Sequence, residues 1–156
     1  EAGHMVFFMG GSSEALDAVE PLLALVSRAR FRLADVRQSA ALKLAMNLNI
    51  AAQMEALSEG LVFARAAGLE PELYFAALAK TVAHSGLADL KKDKLKARDF
   101  SPQFSVKHMH KDMRLAASVA QGKLPLLETV RACLAQAEQQ GLGDEDFSSL
   151  IRLLGA

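Results

Sequence analysis

Two polar side chains stand in an otherwise apolar run, ALKLAMNLNIAAQM, where Lys43 and Asn47 are four residues apart. On a helix that spacing projects both from one face. An ammonium whose surroundings lower its proton affinity can act as a general acid or base, and a neighbouring amide can orient an oxygen-bearing substrate without adding charge. The structural alternative is equally plain. Lys43 lays its stem along apolar surface and reaches water, while Asn47 makes internal hydrogen bonds. Spacing alone leaves both readings standing, and Asn49 faces elsewhere. Lys111 and Asp112 in HKDMRLA form a second polar pair, which on an ordinary helix is solvated surface. His108 and His110 lie at i,i+2 and diverge on a helix, His84 is isolated, and no third ligand completes a set, so no metal is expected. Cys133 is the single cysteine. Helical spacing puts it near Leu126, Val130 and Leu134, as a buried small hydrophobe in a reduced, cytoplasmic compartment with no disulfide framework.

The elements that position these residues follow from hydropathy patterning. With 156 residues, 51% hydrophobic and 18 basic against 18 acidic side chains, the chain suits one ordinary domain and carries no excess charge for nucleic acid or an anionic membrane. No apolar run reaches the ~18 residues of a membrane span, and EAGHMVFFMGG lacks the basic region and long apolar stretch of a secretory signal. MVFFM, stopped by Gly10 and Gly11, reads as a strand. A helix capped by Ser12 or Ser13 follows, with a kink or break expected near Glu20 ahead of Pro21. ARFRLAD reads as a second short extended segment. A helix from about Val36 to Ala67, stopped by Gly68, is apolar nearly all round and should be enclosed by others, either of this chain or of a second subunit. Further helices are expected from Pro71 to Leu78, Leu87 to Lys96, Gln103 to Ala120 and Pro125 to about Gln140, and a last one capped by Asp144. LKKDKLKARD reads as a solvated helix face. A lone strand at the start would have an unpaired edge and no sheet to join, which suggests an excised or truncated chain, the alternative being an intact protein with a local ribbon.

Several ordered motifs carry a more specific signal. MVFFMGG resembles the final strand and turn of the nucleotide-binding domain of the 3-hydroxyisobutyrate dehydrogenase family of NAD(P)-dependent beta-hydroxyacid dehydrogenases. KLAMN resembles that family's lysine-leucine-x-asparagine-asparagine stretch, and DFSPQF, HKDMRLA and GLGDEDFSSL match later landmarks in the same order. The resemblance implies a mainly α fold: the helical C-terminal domain of such an enzyme, with one or two short N-terminal strands and a long central helix. Residues 1–34 would be the remnant of the nucleotide-binding domain, and residues 35–156 an all-helical substrate-binding and dimerisation domain. It implies that Lys43 is the catalytic acid/base and that Asn47 orients the substrate. Lys111 would lie at the nicotinamide end of the cleft, Asp112 would pair with it or tie down the helix, and Phe104 would pack under the cleft or touch the cofactor.

The intact enzyme would use NAD or NADP to interconvert a small hydroxyacid and its aldehyde or keto form, as a homodimer or homotetramer. The present chain alone would bind no cofactor and be inactive, since Gly10-Gly11 is not a dinucleotide fingerprint. The sequence also departs from the family. Ala34, Arg37 and Ser39 occupy positions of a usual glycine-rich turn, Met46 replaces the first asparagine, and HSGLADL lacks the usual arginine. Arg37 and Ser39 are candidate substrate contacts; alternatively, Arg37 narrows the cleft. The competing reading is a noncatalytic helical dimerisation or interaction module on the same scaffold.

Overall fold

The structure, a computed structural model, describes residues 3–155. It divides into two compact units, Glu1–Met46 and Asn47–Ala156.

The first unit is a strand, a helix and a strand followed by the start of a long helix. Strand β1 (Met5–Gly10) pairs in parallel with β2 (Ser27–Leu33), Phe7 opposite Arg30 and Gly10 opposite Leu33. Parallel strands need a crossover, and α1 (Ser13–Val26) supplies it. The second extended segment expected at ARFRLAD is therefore present, and it comes back along the edge of β1 as a local two-stranded ribbon. The Ser12 hydroxyl caps α1 by accepting from the Ala15 amide at 3.2 Å. Of the kink or break expected near Glu20, the break does not occur; α1 runs through Pro21. Glu20 accepts hydrogen bonds from Arg30 at 2.6 Å and Arg32 at 3.4 Å, which tie the proline turn to β2. The same hydrogen bond from Arg30 holds the Glu20 carboxyl below its ordinary range.

Helix α2 (Val36–Ala66) begins at a cap that the sequence reading missed. Asp35 accepts from the Gln38 amide at 2.8 Å, and this bond lowers its carboxyl pKa. A β-carbon on Gly10 would overlap the backbone carbonyl of Asp35, so the end of β1 can approach this cap only without a side chain. Gly10→Ala is expected to destabilise the protein by about 1–3 kcal/mol, read as a lower denaturant midpoint; an unchanged midpoint would contradict the backbone contact.

The second unit contains the rest of α2 with α3 (Pro71–Leu78), α4 (Gly86–Ala97), α5 (Val106–Val119), α6 (Pro125–Gln139) and a last, 3-10 helix (Phe147–Leu154). Ala51, Met54, Leu57 and Leu61 recur at helical spacing and form the α2 side of one core. Met109 and Met113 of α5, Val130 and Leu134 of α6, and Leu150 close around them. Gly68, at φ 80°, ends the α2 turn as expected, and the Leu69 amide donates to the Ala64 carbonyl at 3.0 Å. Phe63 of α2 remains 79% exposed.

Asp146 corrects three expectations. It, rather than Asp144, caps the last helix: its carboxylate accepts from the Ser148 amide at 3.1 Å and the Ser148 hydroxyl at 2.7 Å. Asp144 instead pairs with Lys107 on the surface. Asp146 also accepts from the amides of Gln103 at 2.9 Å and Phe104 at 3.1 Å, which keeps them outside α5, so that helix starts at Val106 and not at Gln103. Finally, α4 is not a uniformly solvated charged helix. Ala88, Lys91 and Leu95 form a buried face, and the Lys91 side chain, 1% exposed, supplies the counter-charge that a fully buried Asp146 requires.

Candidate functional site

Asn47, half-buried on α2, donates from Nδ2 to Oδ2 of Asp112 at 2.7 Å. A carboxylate can only accept, so this contact fixes which end of the amide faces α5. Asp112 is 1% exposed, and the Lys111 ammonium, half-exposed, lies 3.2 Å from its other oxygen. The resemblance leaves two roles open to Asp112, pairing with Lys111 or tying down the helix. The geometry contains the pair, and it adds the link to Asn47 that spacing could not reveal. Asp112→Ala is expected to cost about 1.5–3 kcal/mol of stability, the range for a hydrogen bond to a charged group; a midpoint within error of the parent would show that the link carries no energy.

Beside Asn47 lies a cavity of about 290 Å³ whose walls include Ile50, Leu87, Leu90, Phe104 and Phe147, with Lys91 and Gln103 as its other polar members. Phe104 is half-buried, edge-on to Phe147 with ring centres 6.3 Å apart. Its position follows from its backbone, because the Phe104 amide is one of those that Asp146 holds. Asn47, Phe104 and Asp112 thus belong to one neighbourhood, drawn from α2, the segment before α5, and α5.

The other expected residues fall in the first unit. Lys43 is exposed on α2, one turn before Asn47. Arg37 has its guanidinium 3.3 Å from the Asp35 carboxylate, with a side chain 94% exposed. The Ser39 hydroxyl donates to the Val36 carbonyl at 2.9 Å, within the first turn of α2.

His108 and His110 diverge as their spacing predicts. Nδ1 of His108 lies 2.7 Å from the Ser105 hydroxyl, and Nδ1 of His110 lies 2.9 Å from Glu138. Cys133 is half-buried rather than fully enclosed; burial, with Glu55 beside it, pushes the thiol up to about 11. Among the described residues, no helix is long and apolar enough to cross a membrane.

Residues 38–154 match the family described as NAD-binding of NADP-dependent 3-hydroxyisobutyrate dehydrogenase. The chain belongs to that family. Glyoxylate/succinic semialdehyde reductase 2, chloroplastic, of Arabidopsis thaliana is 28% identical over 100% of this chain and 44% of its own length. The 2-(hydroxymethyl)glutarate dehydrogenase of Eubacterium barkeri is 29% identical over 98% of this chain and 52% of its own length. The chain therefore spans about half the length of the curated relatives it matches. The solved structure of 3-hydroxyisobutyrate dehydrogenase from Salmonella typhimurium shares the fold, with a TM-score of 0.87 at 24% identity over 92% of this chain and 52% of that one. The mainly helical architecture, with two short strands and a long central helix, is thus the one that the ordered motifs imply.

Proposed function

We propose that this chain is the substrate-side part of an NAD(P)-dependent dehydrogenase that interconverts a small hydroxyacid and its aldehyde or keto form. In this reading, residues 1–34 close the nucleotide-binding domain of a full-length protein of the relatives' size. Residues 35–156 bind the substrate and pair with a second copy through α2, to which the exposed Phe63 would contribute.

The observation that carries the reading is the Asn47–Asp112 hydrogen bond. A buried carboxylate orients an amide beside a cavity, one helical turn from a lysine. In alcohol oxidation, Lys43 accepts the hydroxyl proton; in reduction, it returns that proton to the developing alkoxide. Asn47 holds the reacting oxygen or the acid group, and the order imposed by Asp112 lowers the entropy lost on alignment. NAD(P), when bound, accepts or supplies the hydride.

The chain's own fit to a dinucleotide is limited to one end. Lys111, steadied by Asp112, suits the nicotinamide side, while the 156 residues contain no glycine-rich phosphate loop after β1. The chain alone is accordingly proposed to turn over no substrate. Asn47→Ala in the full-length enzyme is expected to lower kcat/KM by about 10- to 100-fold, as for a lost hydrogen bond at a reacting group. Following nicotinamide absorbance with a panel of small hydroxyacids tests this, and an unchanged kcat/KM would remove Asn47 from the site.

A further inference from the structure

Lys107, His110 and Arg114 occupy successive turns on one face of α5, the face opposite Asp112. The first two each meet an acid. Lys107 pairs with Asp144, and Nδ1 of His110 lies 2.9 Å from Oε2 of Glu138 on α6. Arg114 breaks the series: it is exposed, and among the described residues its guanidinium makes no hydrogen bond or ion pair. The α6 residues that share an open groove with His110 and Arg114 are Glu128, Arg131, Ala132 and Ala135, and the two alanines leave a space of about 370 Å³.

The charges around that space do not cancel. Arg131 donates to Oε2 of Glu128 at 2.6 Å, which balances one guanidinium and still leaves it N–H groups to donate. The His110–Glu138 pair is neutral while the imidazole is protonated and carries one negative charge once it is not. Arg114 therefore stands uncompensated when His110 is protonated, and one added negative charge completes the balance. A carboxylate supplies that charge and is planar, so Arg114 can grip both its oxygens while Arg131 donates from the other wall. A phosphate dianion would instead add surplus negative charge beside Glu128 and Glu138.

We propose that the groove between α5 and α6 is a binding site for a carboxylate, held by Arg114 and Arg131. It lies across α5 from the Asn47–Asp112 hydrogen bond and stands whether or not the catalytic reading does.

Titration of the 15N-labelled 156-residue chain with propionate at constant ionic strength tests it, with the backbone amides of Arg114, Ala132 and Ala135 as reporters and that of buried Leu61 as reference. Propionate is expected to shift the reporters saturably, with a dissociation constant on the order of millimolar for so open a site, and the neutral isostere propionamide is not. Arg114→Gln, an exposed change to a good helix former, should weaken binding about five- to tenfold. Glu128→Gln, which removes the competing carboxylate, should tighten it about threefold or more. Affinity should fall from about pH 6 to about pH 8 as His110 loses its proton and leaves Glu138 unbalanced. N-acetylglutamate amide offers the same carboxylate as a protein side chain would. Tighter binding of propionate points to a free organic acid and tighter binding of the blocked glutamate to a partner protein, and either order supports the carboxylate. The inference is overturned if chloride alone produces the same shifts, meaning an adventitious ion only, if no reporter moves, or if Arg114→Gln binds propionate as tightly as the parent.

Discussion

Lys43→Ala in the full-length enzyme is expected to reduce kcat by about 10²- to 10⁴-fold, the usual contribution of a positioned acid or base, with a much smaller change in KM. Oxidising an alcohol leaves a hydroxyl proton without a destination unless a side chain takes it. On α2 the group one turn from the amide of Asn47 is an amine. If the amine acts only in proton transfer, small primary amines added to the medium should restore part of the rate, and Lys43→Arg should recover little, since guanidinium does not give up its proton. Retention of kcat in Lys43→Ala would remove lysine catalysis and favour the noncatalytic helical module, for which the Arg37 and Ser39 departures from a glycine-rich turn also argue.

Asp146→Ala should produce the largest loss of stability in the chain, about 3–5 kcal/mol. The change strands the ammonium of Lys91, whose side chain is 1% exposed, and at once releases the amides of Gln103, Phe104 and Ser148. Lys91→Met in the same background should recover part of the loss by removing the uncompensated charge. Acid should reproduce the effect in the parent chain. Burial raises the Asp146 pKa, but the hydrogen bonds from Lys91, Ser148 and Gln103 outweigh it, and the carboxyl titrates below its ordinary 3.8. A group with a depressed folded pKa contributes in full above its unfolded value, and that contribution disappears as pH falls through the folded one. Urea midpoints should therefore fall in the parent below about pH 4 more steeply than in Asp146→Ala. Parallel curves would mean that the pair contributes nothing. Asp99, whose pKa falls to about 2 beside Ser101 and Lys94, is a surface carboxylate and carries no such expectation.

The helices were legible in the sequence because their apolar faces repeat at helical spacing and because Gly68, Pro71 and Pro125 punctuate them. The candidate site was legible only in part. The i,i+4 spacing marks Lys43 and Asn47, but the partner of Asn47 lies on α5, and no local pattern encodes a contact between helices so distant in sequence. Lys91 was hidden for a different reason. In LKKDKLKA one lysine of several is buried, and only the Ala88, Lys91, Leu95 spacing distinguishes it from its solvated neighbours. GDEDFSSL offers three acids before the last helix; the serine two residues after Asp146 is the capping signal that could have singled it out. The uninterrupted α1 shows the opposite limit, since Pro21 marks a break in the local pattern that the helix does not make, while Glu20 beside it is tied to the next strand.

The most direct test is a crystal structure of the full-length enzyme with NAD(P) and a small hydroxyacid that it turns over. The Lys43 amine and the Asn47 amide are expected within about 2.6–3.2 Å of ligand oxygens at the reacting end. A ligand bound productively on the nicotinamide, with both side chains out of reach of it, would contradict the account.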